Sequence, residues 1–105
     1  MAQFDVYPNP NPAYRSTWPW VVDVQHETLS SLQTRLTIPL AQANPANQGL
    51  PKRLFPRLEF QGASYTLLAQ VAAPVHISRL KSPQGTLRQR RAEIQASLDA
   101  VMAGV

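Results

Sequence analysis

The chain has no cysteine. That excludes disulfides, thiol nucleophiles and cysteine-ligated zinc, and it suits a reducing compartment. No apolar run approaches the roughly 20 residues that span a bilayer. The start, Met1, Ala2, Gln3, Phe4 and Asp5, has neither the basic head nor the apolar stretch of a secretory signal. A soluble cytoplasmic protein without a membrane partner is the expectation. Acidic residues are few, six against ten lysines and arginines, for a net charge of +4. That balance suits an acidic partner, either a nucleic acid or an acidic peptide. Glycine is scarce at four, whereas proline reaches ten. So much proline argues against a helix bundle and for short strands joined by irregular loops. With 105 residues the chain suffices for one domain, 1–105, around one core.

Clusters that carry catalysis are also lacking. His26 and His76 lie in separate segments, and neither has further ligands at metal-binding spacing. There is no nucleophile elbow, no phosphate-cradling glycine loop and no His–Glu pair on a helix. Asp23 and Glu59 read as isolated carboxylates on strands, with no acid–base partner. The expectation is a protein that is not an enzyme, with no catalytic residue, cofactor or metal. Tyr7, Tyr14, Trp18 and Trp20 could stack on bases, but large aromatics on a small sheet more often pack into its core or rim.

What is present is alternation followed by a change of period. Residues 3–7 alternate, with Phe4 and Val6 on one face, and Pro8, Pro10 and Pro12 then end the strand. That proline loop carries Tyr14 and Arg15 outward. Trp20, Val22 and Val24 share one face of a second strand, with Val21, Asp23 and Gln25 on the other. Leu36 and Ile38 point inward from a third, which Pro39 places near a sheet edge or a strand end. Residues 41–55 form a long irregular segment with Asn44, Pro45, Gly49, Lys52 and Arg53, a length usually reserved for functional or mobile loops. Leu58 and Phe60 lead through Gln61 and Gly62 into Tyr65, Leu67 and Ala69, a hairpin. Val75 and Ile77 form a last strand after Pro74. From Pro83 the period becomes helical, with Leu87, Ile94, Leu98, Val101 and Val105 on one stripe. Thr86 and Gln89 have capping-box spacing. Arg88, Arg90 and Arg91 then oppose the helix dipole, a local rule broken three times in four residues. The fold class is mainly β with a C-terminal α-helix, a twisted antiparallel sheet or partial barrel with the helix packed on it. The expected core is Val22, Val24, Leu36, Ile38, Leu58, Phe60, Leu67, Ile77, Ile94 and Leu98. The stripe runs beyond what one small sheet can cover, so a homodimer is expected.

Five segments resemble the CcdB family of toxins from type II toxin–antitoxin modules. They are Gln3, Phe4, Val6 and Tyr7; Val21, Val22, Asp23, Val24 and Gln25; Arg35, Leu36, Thr37, Ile38, Pro39 and Leu40; Leu54 with Pro56; and Ala96, Leu98, Asp99, Gly104 and Val105. The resemblance covers nearly the whole chain, in order and in register. It implies an SH3-like partial barrel of the CcdB/MazF type, with a small accessory sheet and a long C-terminal helix. It implies a homodimer whose contact falls on Leu98, Val101, Met102 and Val105. It implies a toxin that binds the DNA gyrase A subunit and traps the gyrase–DNA cleavage complex, with no direct sequence-specific nucleic-acid binding of its own. The implied gyrase contact is Ala103, Gly104 and Val105, where Ala103 stands at the position of the family's tryptophan. A CcdA-like antitoxin would bind at Gln25, His26, Glu27, Thr28, Leu29 and Asp99. Two other readings stay open. One is a MazF/Kid-like endoribonuclease toxin using Arg79 or Arg53. The other is a degenerate CcdB-fold protein that poisons nothing, which Ala103 favours.

Overall fold

β-Branched and aromatic residues mark where the chain extends. In the computed structural model, which describes residues 2–43 and 51–104, they form β1 (Asp5–Pro8), β2 (Trp20–Asp23), β3 (Thr34–Gln42), β4 (Arg57–Phe60), β5 (Ala63–Leu67), β6 (Ala73–His76) and β7 (Gly85–Thr86), followed by α1 (Arg91–Ala103). The strands run β4-β5-β3-β2-β1-β7, every pair antiparallel, and β6 joins the first half of β3. The sheet curls into a half-barrel with the helix at its C-terminal end, as the resemblance implied. β3 is the spine. Its one flank carries β2, and its other flank carries β6 along 34–37 and then β5 along 40–42.

That break on the second flank explains Pro39. Pro39 does not lie at an edge; it pairs with Val21 inside the central strand. Its carbonyl accepts from the Leu68 N–H at 3.2 Å, on the β5 side. In a strand the N–H and C=O of one residue point the same way. The missing donor of Pro39 therefore faces the gap between β6 and β5, where no ladder bond is lost.

Both faces of this sheet are covered. On the front, Phe4, Val6, Val22, Val24, Ile38, Leu40, Leu58, Phe60, Tyr65, Leu67, Leu87 and Ile94 form the main core, with Trp20 and Leu98 half-buried against it. On the back, Tyr7, Val21 and Leu80 form a smaller cluster with Val75. Of the expected core residues, Leu98 is thus only half-buried and two others are exposed. Leu36 is 38% exposed, because it shares the front face with Ile38 but sits at the far end of β3. Ile77 is 36% exposed, because the strand stops at His76 and Ile77 begins a 3₁₀ turn, Ile77–Arg79.

Other boundaries move for local reasons. β1 starts at Asp5 rather than Gln3 because Phe4 adopts a left-handed backbone, φ 73°. Its N–H donates to Asp23 O and its carbonyl accepts from Leu87 N at 2.9 Å, which holds the strained residue in place. β1 stops at the first of the prolines, with Pro8 itself the strand's last residue, opposite Trp20. The expected hairpin is present, with Gln61 and Gly62 both at positive φ, 50° and 80°, the signature of a type I′ turn. Ala69 leaves the strand for a 3₁₀ turn, Ala69–Val71, and is buried there. β7 was not expected. A Cβ on its Gly85 would meet the Phe60 ring at 2.7 Å, so this glycine permits close packing of β7 on the core. Asn44, Pro45 and Gly49 of the long irregular segment lie outside the described residues. No helix among the described residues is long and apolar enough to cross a membrane.

Candidate functional site

The segment 25–29 is built on a buried ion pair. Asp23 and Arg35 lie on the back face of neighbouring strands, diagonal to each other because Asp23 faces Thr37. Arg35 Nε donates to Asp23 Oδ2 at 2.7 Å, with side chains 1% and 0% exposed. Asp23 is thus not isolated. Its second oxygen accepts from the Gln25 N–H at 3.0 Å. The remaining guanidinium nitrogens reach Gln25 O at 2.8 Å and Ser30 Oγ at 3.4 Å. Burial pushes the Asp23 carboxyl up from the usual carboxylate range, against the opposing pull of the Arg35 and Gln25 hydrogen bonds. The pair ties the start and end of the excursion between β2 and β3 to one fixed point.

Above that point the segment closes into a tight turn. His26 caps the 3₁₀ turn Glu27–Leu29, its Nδ1 accepting from the Thr28 N–H at 3.1 Å. Gln25 spans the same loop, donating to Leu29 O at 3.2 Å and accepting from the Leu36 N–H at 3.0 Å. His26, Glu27, Thr28 and Leu29 are all exposed. His76 repeats the device over Ser78 at 3.1 Å. The shared signal is a histidine two residues before a serine or threonine, which imitates an Asx cap. Both imidazoles thus serve the backbone. Among the described residues no group of three or more His, Asp or Glu side chains could hold a metal ion.

The helix start meets this turn. Leu87 is buried before the helix, and a 3₁₀ turn, Arg88–Arg90, leads into α1. Thr86 Oγ1 accepts from the Arg88 N–H at 3.1 Å, one residue short of the expected capping box. Arg88 pairs with Glu27 at 3.1 Å and Arg90 with Glu93 at 2.6 Å, all four exposed or half-exposed. The Arg90 hydrogen bond holds the Glu93 carboxyl below its ordinary value. Gln3, Phe4, His26, Glu27, Arg88 and Arg91 line a polar pocket of about 180 Å³ here.

The other end of α1 is different. Ile94, Ser97 and Ala100 face the protein, and Ser97 Oγ donates to Leu54 O at 2.6 Å. Leu98 is half-buried, Val101 is exposed, and Met102 is 86% exposed. Gly104, at φ 74°, turns left-handed and donates to Ala100 O at 2.8 Å, a glycine stop. Pro51, Arg53, Leu54, Ala100 and Gly104 line an apolar groove of about 250 Å³ beside it. Ala103 is the last helical residue, and Val105 lies outside the described residues. Asp99 is exposed on the same helix. It rises about 12 Å from Arg91 at 1.5 Å per residue, so it sits with the chain end, not with the 25–29 turn.

The arginines weighed for RNA cleavage have other surroundings. Arg79 lines a groove with Asn9, Tyr14, Trp18, Val75 and other residues, none of them a carboxylate or histidine. Arg53 lines the groove at the helix tip, again without one. Tyr14 and Trp18 stack on each other at 5.5 Å, and Trp20 packs edge-on to Phe60 at 5.1 Å.

A search of curated proteins finds no match. The family model described as CcdB protein matches residues 3–104, nearly the whole chain, and the chain therefore belongs to the CcdB family.

Proposed function

We propose that the chain is a gyrase poison that acts by binding rather than by catalysis. Membership of the CcdB family supports a toxin of a toxin–antitoxin system. In the proposed reading two copies associate through Leu98, Val101, Met102 and Val105, and the paired helix tips engage the DNA gyrase A subunit with Ala103, Gly104 and Val105. The cleaved-DNA complex is then trapped. A CcdA-like antitoxin relieves it by folding a disordered segment over residues 25–29 and Asp99, exchanging ordering entropy for contact area.

The observation that carries this reading is the bare tip of α1. Val101 and Met102 stand in water beside the glycine stop. A contiguous apolar end on a small protein marks a contact surface. Ala103 lacks the ring of an aromatic anchor, which can be worth about 2 kcal/mol or more in an interface.

The test compares growth arrest and gyrase–DNA cleavage for the intact chain, a chain ending at Met102, and Ala103→Trp. The truncation should abolish both readouts while circular dichroism stays unchanged, because the core lies upstream of the tip. Ala103→Trp should strengthen both. Full toxicity in the truncated chain would move the working surface away from the helix tip.

A further inference from the structure

The back face of the sheet carries a groove of about 220 Å³ that none of the contacts assigned above uses. Val21, Pro39, Val71, Ala73 and Val75 supply its apolar wall, drawn from β2, β3, β6 and the turn before β6. Its aromatic wall is Tyr14 with Trp18, ring centroids 5.5 Å apart. The backbone holds that pair in place. The Trp18 N–H donates to Tyr14 O at 2.6 Å, and the buried Asn9 amide donates to Trp18 O at 2.8 Å. Pro8, Pro10, Pro12 and Pro19 fix φ around it. Tyr14 is nonetheless 51% exposed, so the rings are positioned without being closed over.

Most polar groups of the groove are already engaged. Asn9 Oδ1 accepts from the Asn11 N–H at 2.9 Å, Asn11 Oδ1 accepts from the Ala13 N–H at 3.1 Å, and Thr37 Oγ1 donates to Ala73 O at 3.2 Å. Arg79 is the one charge in the lining. Its guanidinium reaches Pro10 O at 3.4 Å, beyond the ordinary range of an N–H···O bond. It has no ion pair among the described residues. None of the chain's six side-chain carboxylates and neither histidine lines the groove.

We propose that this groove binds a small aromatic monoanion, its ring against Tyr14 and Trp18 and its anionic group on Arg79. The volume lies below the roughly 300–1,000 Å³ of drug-sized sites, so the ligand is one ring system with a short acidic tail. A fixed aromatic pair offers a third ring an offset or edge-on contact. The planar fork of Arg79 then matches a carboxylate in two bonds. A nucleotide fits less well, because the polar edge of its base would lie unpaired against valines and prolines. This site is independent of the toxin reading, and its test uses neither gyrase nor growth.

The experiment titrates the full chain with naphthaleneacetate and follows amide and indole N–H chemical shifts. Naphthaleneacetamide, naphthylethylamine and adenosine monophosphate are the comparators. The acid should bind in the sub-millimolar to millimolar range expected of so small a ligand. It should bind more tightly than the amide, and the amine should bind weakest. Shifts should centre on Tyr14, Trp18, Val75 and Arg79. Arg79→Gln should weaken the acid about three- to tenfold and leave the amide unchanged. Tyr14→Leu, which keeps the bulk and removes the ring, should weaken acid and amide alike by about two- to tenfold. Arg91→Gln removes the same charge away from the groove and should change neither. Equal binding of acid and amide, an equal effect of Arg91→Gln and Arg79→Gln, or tighter binding of adenosine monophosphate would each overturn the proposal. Affinity that falls as chain concentration rises would also overturn it, by assigning the groove to a second copy. If a variant fails to fold, the wild-type titration decides: shifts scattered over His26, Leu54 and Gly104 as strongly as over Tyr14 and Arg79 would overturn it.

Discussion

The front and back faces of the same sheet are stabilised by different chemistry. The front face is an apolar core of Val22, Ile38, Leu40, Leu58 and Leu67, closed by Leu87 and Ile94. The back face is small and carries an ion pair at its centre, Asp23 with Arg35, beside Tyr7, Val21 and Leu80. The front is non-directional and rewards volume. The back is directional, because each nitrogen of Arg35 answers a particular oxygen. What that teaches is a division of labour: the front makes the domain stable, and the back fixes the shape of the 25–30 excursion.

Removing one partner from the back face should have the largest effect. Asp23→Asn leaves the Arg35 guanidinium buried without its counter-charge and should cost about 3–5 kcal/mol in urea unfolding. A double change, Asp23→Leu with Arg35→Met, should recover most of that loss. It should not restore the 25–30 turn, which still lacks its guanidinium bonds to Gln25 and Ser30. Amide exchange at residues 25–30 separates stability from order: fast exchange with recovered stability supports the division, and slow exchange breaks it.

On the front face, Ile38→Ala should cost about 2–5 kcal/mol through lost burial and the cavity left behind. Leu36→Ala, one pleat away on the same face, should cost less than about 1 kcal/mol, since Leu36 is already exposed. Equal losses at the two positions would mean that the face closes over Leu36. Gly85→Ala tests how tightly β7 presses on that core. With Phe60 2.7 Å from the new carbon, overpacking should cost about 1–3 kcal/mol. A neutral outcome would show that the Phe60 ring can swing aside.

The smallest effect lies outside both faces, at the Arg90–Glu93 pair. Arg90 depresses the Glu93 pKa. A carboxylate with a lowered folded-state pKa adds stability above its unfolded value near 4.5 and loses it as pH falls through the lower folded value. Because the pair is largely exposed, Glu93→Gln should cost only a few tenths of a kcal/mol at pH 7. The difference from wild type should vanish in acid. A difference that persists there would assign the effect to packing rather than charge.

Much of the front face was legible from alternation. Val22, Val24, Ile38, Leu58, Phe60 and Leu67 fell where period two placed them, and Ile94 where period 3.6 did. The back face was legible only in part. Asp23 was assigned the face opposite Val22, but nothing local says that Arg35 shares it, since that depends on the register Asp23 to Thr37. Leu36 misled for a related reason: its pattern was right in phase, but exposure depends on what lies across from it. Ile77 misled because the strand stops at His76, one residue before it. The capping histidines carried a signal, His26 before Thr28 and His76 before Ser78, that was open to a sequence reading and was missed.

The sequence by itself determined the family, the mainly β class, the hairpin at Gln61 and Gly62, and an apolar chain end. These follow from residue periodicity, from backbone preferences and from motifs a few residues long. Only the tertiary structure decided that Pro39 sits mid-sheet, that Asp23 and Arg35 neutralise each other in the interior, and that Arg88 and Arg91 converge with Glu27 at one pocket. Each of those depends on segments distant in sequence meeting at a particular register. Local pattern cannot report that, because a one-residue slip in β3 would turn every one of its side chains to the other face.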